Sequence, residues 1–175
     1  RIIGIGLGGA ESQGPARDYQ AVFEKARANG LKTVAHAGED LGPESIWETI
    51  KLLKVQRIGH GISAIKDPEL MEFLREKQIP LEICPTSNIF TRKFVSSYET
   101  HPIRSFFDKG LYVTVNTDYP TIFGVELIEE YVNLYLRRIF SLNEIILLIK
   151  NSVHATFLSK EKQTQIIQMV DSALS

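Results

Sequence analysis

The sequence has few of the features that would assign it to a specialised class of protein. Its 175 residues contain one cysteine, Cys84, which excludes an internal disulfide and a zinc site built from several cysteines. No apolar run is long enough to cross a bilayer, and the opening segment Arg1-Ile2-Ile3-Gly4 does not have the pattern of a signal peptide. One free cysteine without an export signal predicts a cytoplasmic protein.

The sequence also lacks an excess of charge of either sign. Lys plus Arg is 20 and Asp plus Glu is 21, so the formal net charge is −1. This balance gives no electrostatic reason to expect a nucleic acid or an anionic membrane as a partner. Hydrophobic residues make up 43% and charged residues 23%, which is the composition of a globular domain.

What the chain does contain is a regular alternation of short apolar runs and longer amphipathic segments. The apolar runs predict strands at 2–7, 31–35, 57–59, 81–84 and 111–115. The amphipathic segments predict helices at 16–29, 45–54, from 67 onward, at 103–109 and at 126–140, followed by two more after Ser141 and Ser159, the last running towards Leu174. Strands that alternate with helices predict an α/β fold with a parallel sheet.

Helix-capping residues support three of these helices. Asp67 is an expected N-cap, because Pro68 suits the first helical position. Ser141-Leu142-Asn143-Glu144 has the pattern of a capping box, and Ser159 is the expected cap of the final helix.

Polar and glycine-rich segments follow each predicted strand. In parallel α/β folds these strand ends share one face, where barrel enzymes have their active sites, so we expect His36, Glu39, His60 and Asp118 to converge. Two imidazoles and two carboxylates are the groups required for metal-assisted hydrolysis. Each residue alone also fits an ordinary structural role, such as a turn or helix cap, and the pattern by itself leaves both interpretations open.

The same segments carry a family resemblance. Taken in order, they resemble the adenosine deaminase family of zinc hydrolases in the amidohydrolase superfamily. The resemblance implies that residues 1–175 form a single partial domain, the part of a (β/α)8 TIM barrel that contains strands four to eight and the extra C-terminal helices. The matching segments are Gly6-Leu7-Gly8-Gly9-Ala10-Glu11, His36-Ala37-Gly38-Glu39, Arg57-Ile58-Gly59-His60-Gly61, Glu82-Ile83-Cys84-Pro85-Thr86-Ser87-Asn88, His101-Pro102 and Asn116-Thr117-Asp118.

The resemblance implies one zinc ion and a role for each of five residues. By position, His36 resembles a zinc ligand, and Asp118 resembles a second ligand that also holds the attacking water. Glu39 resembles the proton donor to purine N1, and His60 resembles the residue that orients and deprotonates the water. Gly9 resembles the glycine whose backbone amide faces purine N3.

The implied reaction is hydrolytic deamination of a 6-aminopurine nucleoside, adenosine to inosine plus ammonia. Zinc lowers the pKa of a water ligand towards neutrality. Glu39 must be protonated when it meets N1, so we expect a dry pocket to raise its pKa. The implied partner is therefore a small purine nucleoside.

Two departures from the family pattern bear on the substrate. Tyr119 stands where the family often has a second aspartate that resembles a partner of purine N7, so its hydroxyl is the expected substitute. Gly9-Ala10-Glu11 resembles bacterial members that include aminodeoxyfutalosine deaminases, whereas Arg57-Ile58-Gly59-His60 looks more like nucleoside than adenine deaminases. Adenosine is the first candidate; aminodeoxyfutalosine, adenine or a non-catalytic half-barrel are the alternatives.

The His-x-His pair that ends the first strand in this family is absent from the 175 residues. The resemblance therefore implies that two further histidine ligands come from an N-terminal segment of the same gene product, which carries strands one to three. Five strands alone would leave unpaired edges at the Ile2 and Leu111 strands. We expect that segment to pair with both.

Overall fold

A computed structural model describes residues 2–173, which contain a five-stranded parallel sheet. The strands are β1 (Gly4–Leu7), β2 (Lys32–Ala37), β3 (Arg57–His60), β4 (Leu81–Ile83) and β5 (Val113–Val115). They pair in the order of the sequence, and every neighbouring pair is parallel. Sequential parallel strands with helical connections are the arrangement of a segment of a (β/α)8 barrel. The predicted α/β class is confirmed.

The helices follow the strands along the whole described chain. They are α1 (Gln20–Ala28), α2 (Pro43–Glu48), α3 (Pro68–Lys77), α4 (Pro85–Thr91), α5 (Ile103–Asp108), α6 (Pro120–Phe123), α7 (Leu127–Leu136), α8 (Leu142–Ala155) and α9 (Lys160–Ser172). A 3-10 turn at Ala16–Tyr19 precedes α1, a π-helical turn at Thr49–Leu53 extends α2, and a 3-10 helix at Ile62–Lys66 follows β3. Within residues 2–173, no helix combines the length and apolarity needed to cross a membrane.

The three predicted helix caps are present. The Asp67 carboxylate accepts a hydrogen bond from the backbone N–H of Leu70 at 3.0 Å. Ser141 forms a reciprocal capping box with Glu144. The Ser159 hydroxyl accepts from the backbone of the final helix, as expected for an N-cap. The predicted end point of that helix, Leu174, lies outside the described residues.

Two strands extend further than the sequence predicted. β2 continues to Ala37 and β3 to His60, because these two residues pair with each other at the end of the parallel ladder. His36 therefore lies within β2, and His60 is the last residue of β3, rather than in the loops that follow. The extra pairing gives both imidazoles a rigid backbone.

Two short helices were not predicted, and one predicted helix is shorter. Pro85 ends β4 as expected but also opens α4, since proline suits the first helical position. α6 begins in the same way at Pro120. α7 ends at Leu136 instead of Phe140, because Arg138 adopts a left-handed backbone conformation with φ of 58°.

Successive side chains along each strand point to opposite faces of the sheet, so one face packs into the core and the other faces the site. Ile58 in β3 and Leu81 and Ile83 in β4 are fully buried among helix residues of the hydrophobic core. Their neighbours Gly59 and Glu82 point to the opposite face and line an open cavity. Within residues 2–173, β1 pairs only with β2 and β5 only with β4, so the sheet has the two edges that the sequence predicted.

Candidate functional site

Three side chains with metal-ligating atoms meet at the carboxyl edge of the sheet. One ligand atom each from His36, His60 and Asp118 lies within 4.8 Å of the others. His36 is in β2, His60 ends β3, and Asp118 follows β5. The convergence expected from the sequence is therefore present, because the parallel strands end at the same edge.

Glycine makes room for the His36 imidazole. A Cβ atom on Gly59 would lie 2.7 Å from Cδ2 of His36, whereas one on Gly8 would lie at 3.6 Å from the ring, an ordinary contact. The rings of His36 and His60 meet edge to face, with centroids 4.6 Å apart. Among residues 2–173, the ring nitrogens of His36 have no hydrogen-bond partner. This imidazole is held by packing, and its nitrogens are available to a ligand.

Glu39, the predicted proton donor, lies beside His60. Its Oε2 atom is 3.2 Å from Nε2 of His60, and its Oε1 atom accepts hydrogen bonds from Asn88 Nδ2 at 3.3 Å and Thr91 Oγ1 at 3.4 Å. Burial, together with the nearby negative charge of Asp118, raises the pKa of Glu39 to about 7. Glu39 therefore exchanges its proton close to neutral pH.

His60 has a neutral imidazole ring and a strained backbone conformation. Its side chain is buried, and this burial, with the neighbouring His36, lowers its pKa to about 4. His60 and Asp118 both have left-handed backbones, with φ of 63° and 62°. Such a conformation costs a non-glycine residue about 1–3 kcal/mol and is concentrated at functional sites.

The helix α4 supplies three site residues that the sequence analysis did not single out. Ser87 donates its hydroxyl to Oδ2 of Asp118 at 2.8 Å, Nδ2 of Asn88 lies 3.0 Å from Nδ1 of His60, and Thr91 contacts Glu39. The segment after β4 was a signal for the first two. The missing information was the helix, which turns them towards the other strand ends.

Glu11 holds the loop that carries Glu39. Its buried carboxylate accepts hydrogen bonds from the backbone N–H groups of Gly38 at 2.9 Å, Glu39 at 2.7 Å and Asp40 at 3.1 Å. The hydroxyl of Ser45 donates to the same carboxylate at 2.9 Å. Glu11 belongs to a matching segment, but nothing local in the sequence indicated this role.

A cavity of about 360 Å³ opens over the three ligand-type side chains. The two predicted substrate-binding residues, Gly9 and Tyr119, are not part of its lining in the described chain. Gly9 has φ of 94°, and Tyr119 is 62% exposed. Their contacts with a substrate stay predictions. The cavity is lined by His36, Gly59, His60, Glu82, Cys84, Asn116, Thr117, Asp118 and Leu127.

The donor set fits a divalent metal ion. His36 offers an imidazole nitrogen without another partner, and in residues 2–173 the Asp118 carboxylate uses only Oδ2 in a hydrogen bond. Imidazole and carboxylate are common zinc ligands. His60 has a third ligand atom within 4.8 Å of these. Zinc sites have three or four protein ligands, so His36 and Asp118 alone are an incomplete set.

Known proteins match almost the whole chain. The family model described as adenosine deaminase matches residues 1–173. An aminodeoxyfutalosine deaminase of Streptomyces avermitilis is 42% identical over 173 residues, which are 98% of this chain and 48% of that protein. An adenosine deaminase of Clostridium acetobutylicum is 40% identical over 170 residues, which are 97% of this chain and 51% of that protein.

A solved structure also matches the fold over almost the whole chain. The crystal structure of an adenine deaminase from Arthrobacter aurescens superposes with a TM-score of 0.95 at 33% identity, over 99% of this chain and 53% of that one. The chain thus spans about half the length of the relatives it matches, and its fold is the predicted part of an α/β barrel. Because the family model extends over nearly all of its length, the chain belongs to the adenosine deaminase family.

Proposed function

We propose that the protein containing this chain is a zinc-dependent hydrolase that removes the 6-amino group of a purine as ammonia. Adenosine is the proposed substrate, ahead of adenine and aminodeoxyfutalosine. The observation that carries the proposal is the contact of Glu39 with His60, in a pocket shared with His36 and Asp118. Relatives named for all three substrates support the reaction class.

His36 and Asp118 are the residues of this chain that would hold the ion. When bound, zinc supplies a Lewis acid that makes water a usable nucleophile at neutral pH. We propose that two further histidines come from an N-terminal segment of the same protein. The incomplete ligand set and the two unpaired sheet edges support this part of the proposal.

Glu39 is the proposed acid. Its pKa of about 7 leaves a substantial protonated fraction at neutral pH, and its burial keeps water from competing for the proton. Donation of this proton to N1 draws electrons from C6, where the water oxygen adds. The water gives up its two protons, one to the amino nitrogen and one that restores the Glu39 carboxyl. The bond from C6 to the amino nitrogen breaks, and that group leaves as ammonia.

The other residues are proposed to place the reactants. Asp118, held by Ser87 through Oδ2, has a second carboxylate oxygen for the attacking water, and His60 lies close enough to help orient that water. Gly9 would offer its backbone N–H to purine N3, and the Tyr119 hydroxyl would face N7. The exposure of Tyr119 is compatible with a residue that a bound ligand covers.

Ammonia release from adenosine, adenine and aminodeoxyfutalosine tests this function directly. The complete protein is assayed as zinc-loaded, chelator-treated and zinc-restored samples. We expect the highest kcat/KM with adenosine, loss of turnover on chelation and recovery on zinc addition. Failure of the folded, zinc-loaded protein to act on any of the three would contradict the proposal and favour a non-catalytic half-barrel.

The contribution of an N-terminal segment is tested by metal stoichiometry. Zinc titration and size-exclusion chromatography compare the 1–175 chain with the complete protein. We expect one tightly bound zinc per complete protein and weak binding to the 1–175 chain. Tight, stoichiometric zinc in a monomer of residues 1–175 would contradict this part of the proposal.

A further inference from the structure

We propose that Asn88 and His101 are positioning residues that fix which ring nitrogen of His60 carries the proton. A buried chain of hydrogen bonds runs from the backbone N–H of Ile103 through these two side chains to His60 and Glu39. The consequence of these hydrogen bonds for catalysis rests on the proposed function, whereas the assignment of the His60 tautomer does not depend on it.

The hydrogen bond from Ile103 determines the tautomer of His101. The N–H of Ile103 donates to Nδ1 of His101 at 3.1 Å, and a backbone amide can only donate. Nδ1 of His101 is therefore an acceptor. His101 is buried, and burial lowers its pKa to about 3, so the ring is neutral and its single proton is on Nε2.

The contact with His101 determines the orientation of the Asn88 amide. Nε2–H of His101 faces Oδ1 of Asn88 at 3.3 Å, and a donor requires the oxygen there. The two hydrogens on Nδ2 of Asn88 are then directed at Nδ1 of His60, at 3.0 Å, and Oε1 of Glu39, at 3.3 Å. If the amide were flipped, Nδ2 would face the Nε2–H donor of His101 and Oδ1 would face the carboxylate oxygen of Glu39. Both of these hydrogen bonds would be lost.

The contact with Asn88 determines the tautomer of His60. Because Nδ1 of His60 accepts from Asn88, the neutral ring carries its proton on Nε2, which lies 3.2 Å from Oε2 of Glu39. In this tautomer Nε2 donates and cannot accept a proton. His60 can therefore hold the attacking water only by donation, and the deprotonating role implied by the family resemblance does not fit this tautomer.

Nuclear magnetic resonance of the histidine ring nitrogens tests this inference without substrate. The complete protein is labelled with ¹⁵N-histidine and studied metal-free, and His60 is assigned by the loss of its signals in His60→Gln. We expect a protonated Nε2 and an unprotonated Nδ1 in both His60 and His101. A wild-type His60 protonated on Nδ1 would overturn the proposal.

Two variants break the chain of hydrogen bonds at different points. Asn88→Asp replaces the amide donor with an acceptor, so His60 should gain a proton on Nδ1. His101→Phe frees the Asn88 amide, so both His60 tautomers should be populated. Thr91→Val is the matched control, since Thr91 also contacts Glu39 but lies outside the chain of hydrogen bonds, and it should leave the His60 tautomer unchanged.

Kinetics separate positioning from a general structural role. We expect Asn88→Asp to lower kcat at least tenfold while KM changes less than twofold. His60 signals that stay as in the wild type in both folded variants would overturn the inference. If instead the nitrogen shifts agree and the protein deaminates no purine, the proposed function fails and the tautomer assignment stands.

Discussion

The Nε2 atom of His60 lies 3.2 Å from the Oε2 atom of Glu39, and the two groups have pKa values displaced in opposite directions. Burial raises the pKa of Glu39 to about 7 and lowers the pKa of His60 to about 4. The pair therefore combines a carboxyl that can be protonated at neutral pH with an imidazole that stays neutral. This division supports Glu39 as the acid of the proposed reaction.

Replacement of the acid should abolish turnover without loss of metal. Glu39→Gln keeps the shape of the side chain but has no proton to donate at physiological pH. We expect kcat to fall by about 10²–10⁴-fold, the range of general acid–base catalysis, with zinc content unchanged. Stopped assays and metal analysis of the same sample measure both. Turnover within tenfold of wild type would contradict the role of Glu39.

The basic side of the pH profile should report Glu39. A group with a raised pKa loses its proton as pH rises through that pKa, so we expect kcat/KM to decline above about pH 7. Asp40→Asn removes one of the negative charges that raise the Glu39 pKa, so its decline should begin at a lower pH. A flat profile between pH 6 and 9 would argue against Glu39 as the acid.

Gly59→Ala should weaken metal binding by displacing His36. The added methyl would lie 2.7 Å from Cδ2 of His36, so the ring must move. We expect zinc affinity to fall by about 10–100-fold, the usual effect of disturbing a group that orients a ligand. Competition with a chromogenic chelator measures it. Gly8→Ala is the matched control, because its methyl would make only an ordinary contact with the same ring at 3.6 Å.

Glu11→Gln should loosen the loop that carries Glu39. A neutral amide cannot accept from all the N–H groups of Gly38, Glu39 and Asp40, and buried donors would lose their partner. We expect a loss of about 1–3 kcal/mol in the free energy of unfolding, with a lower kcat in the folded fraction. Glu44→Gln, an exposed change in the same region, should behave as wild type in denaturant titrations.

His101 should make stability dependent on pH. Its pKa is about 3 in the folded protein against an ordinary value of 6.5, so only the unfolded chain takes up the proton as pH falls below 6.5. The associated stability is present above that pH and is lost towards pH 3, by up to about 1.4 kcal/mol per pH unit. Urea titrations should show a smaller slope against pH in His101→Gln.

The control for that measurement is His154→Gln. His154 is exposed near the end of α8, so this variant removes a surface histidine without disturbing buried packing. Equal slopes in His101→Gln and the wild type would contradict the assignment of a buried, neutral His101.

The fold was largely predictable because each strand and helix has a local signal. Apolar runs, caps such as Asp67 and Ser141, and the alternation of elements all follow from short stretches of sequence. The helices α4 and α6 were missed because a proline that ends one element also starts the next. The ends of β2 and β3 were missed because Ala37 and His60 become strand only through pairing with each other.

The candidate site divides in the same way. Local patterns alone predict that His36, Glu39, His60 and Asp118 occur near the ends of successive strands, and parallel connections bring such ends to one edge. How these groups are held, and which of them are charged, depends on contacts between distant parts of the chain. Asn88 reaches His60 and Glu39 across 28 and 49 residues, and Glu11 reaches Gly38 across 27.

Contacts over such separations depend on the direction in which α4 and the loop after β2 leave the sheet, and no local pattern encodes that direction. The pKa values have the same origin, because the burial that displaces those of Glu39 and His60 exists only when the strands and α4 have packed together. The residue types and their order thus determine which chemistry is available to this chain. The packing determines which group carries the proton.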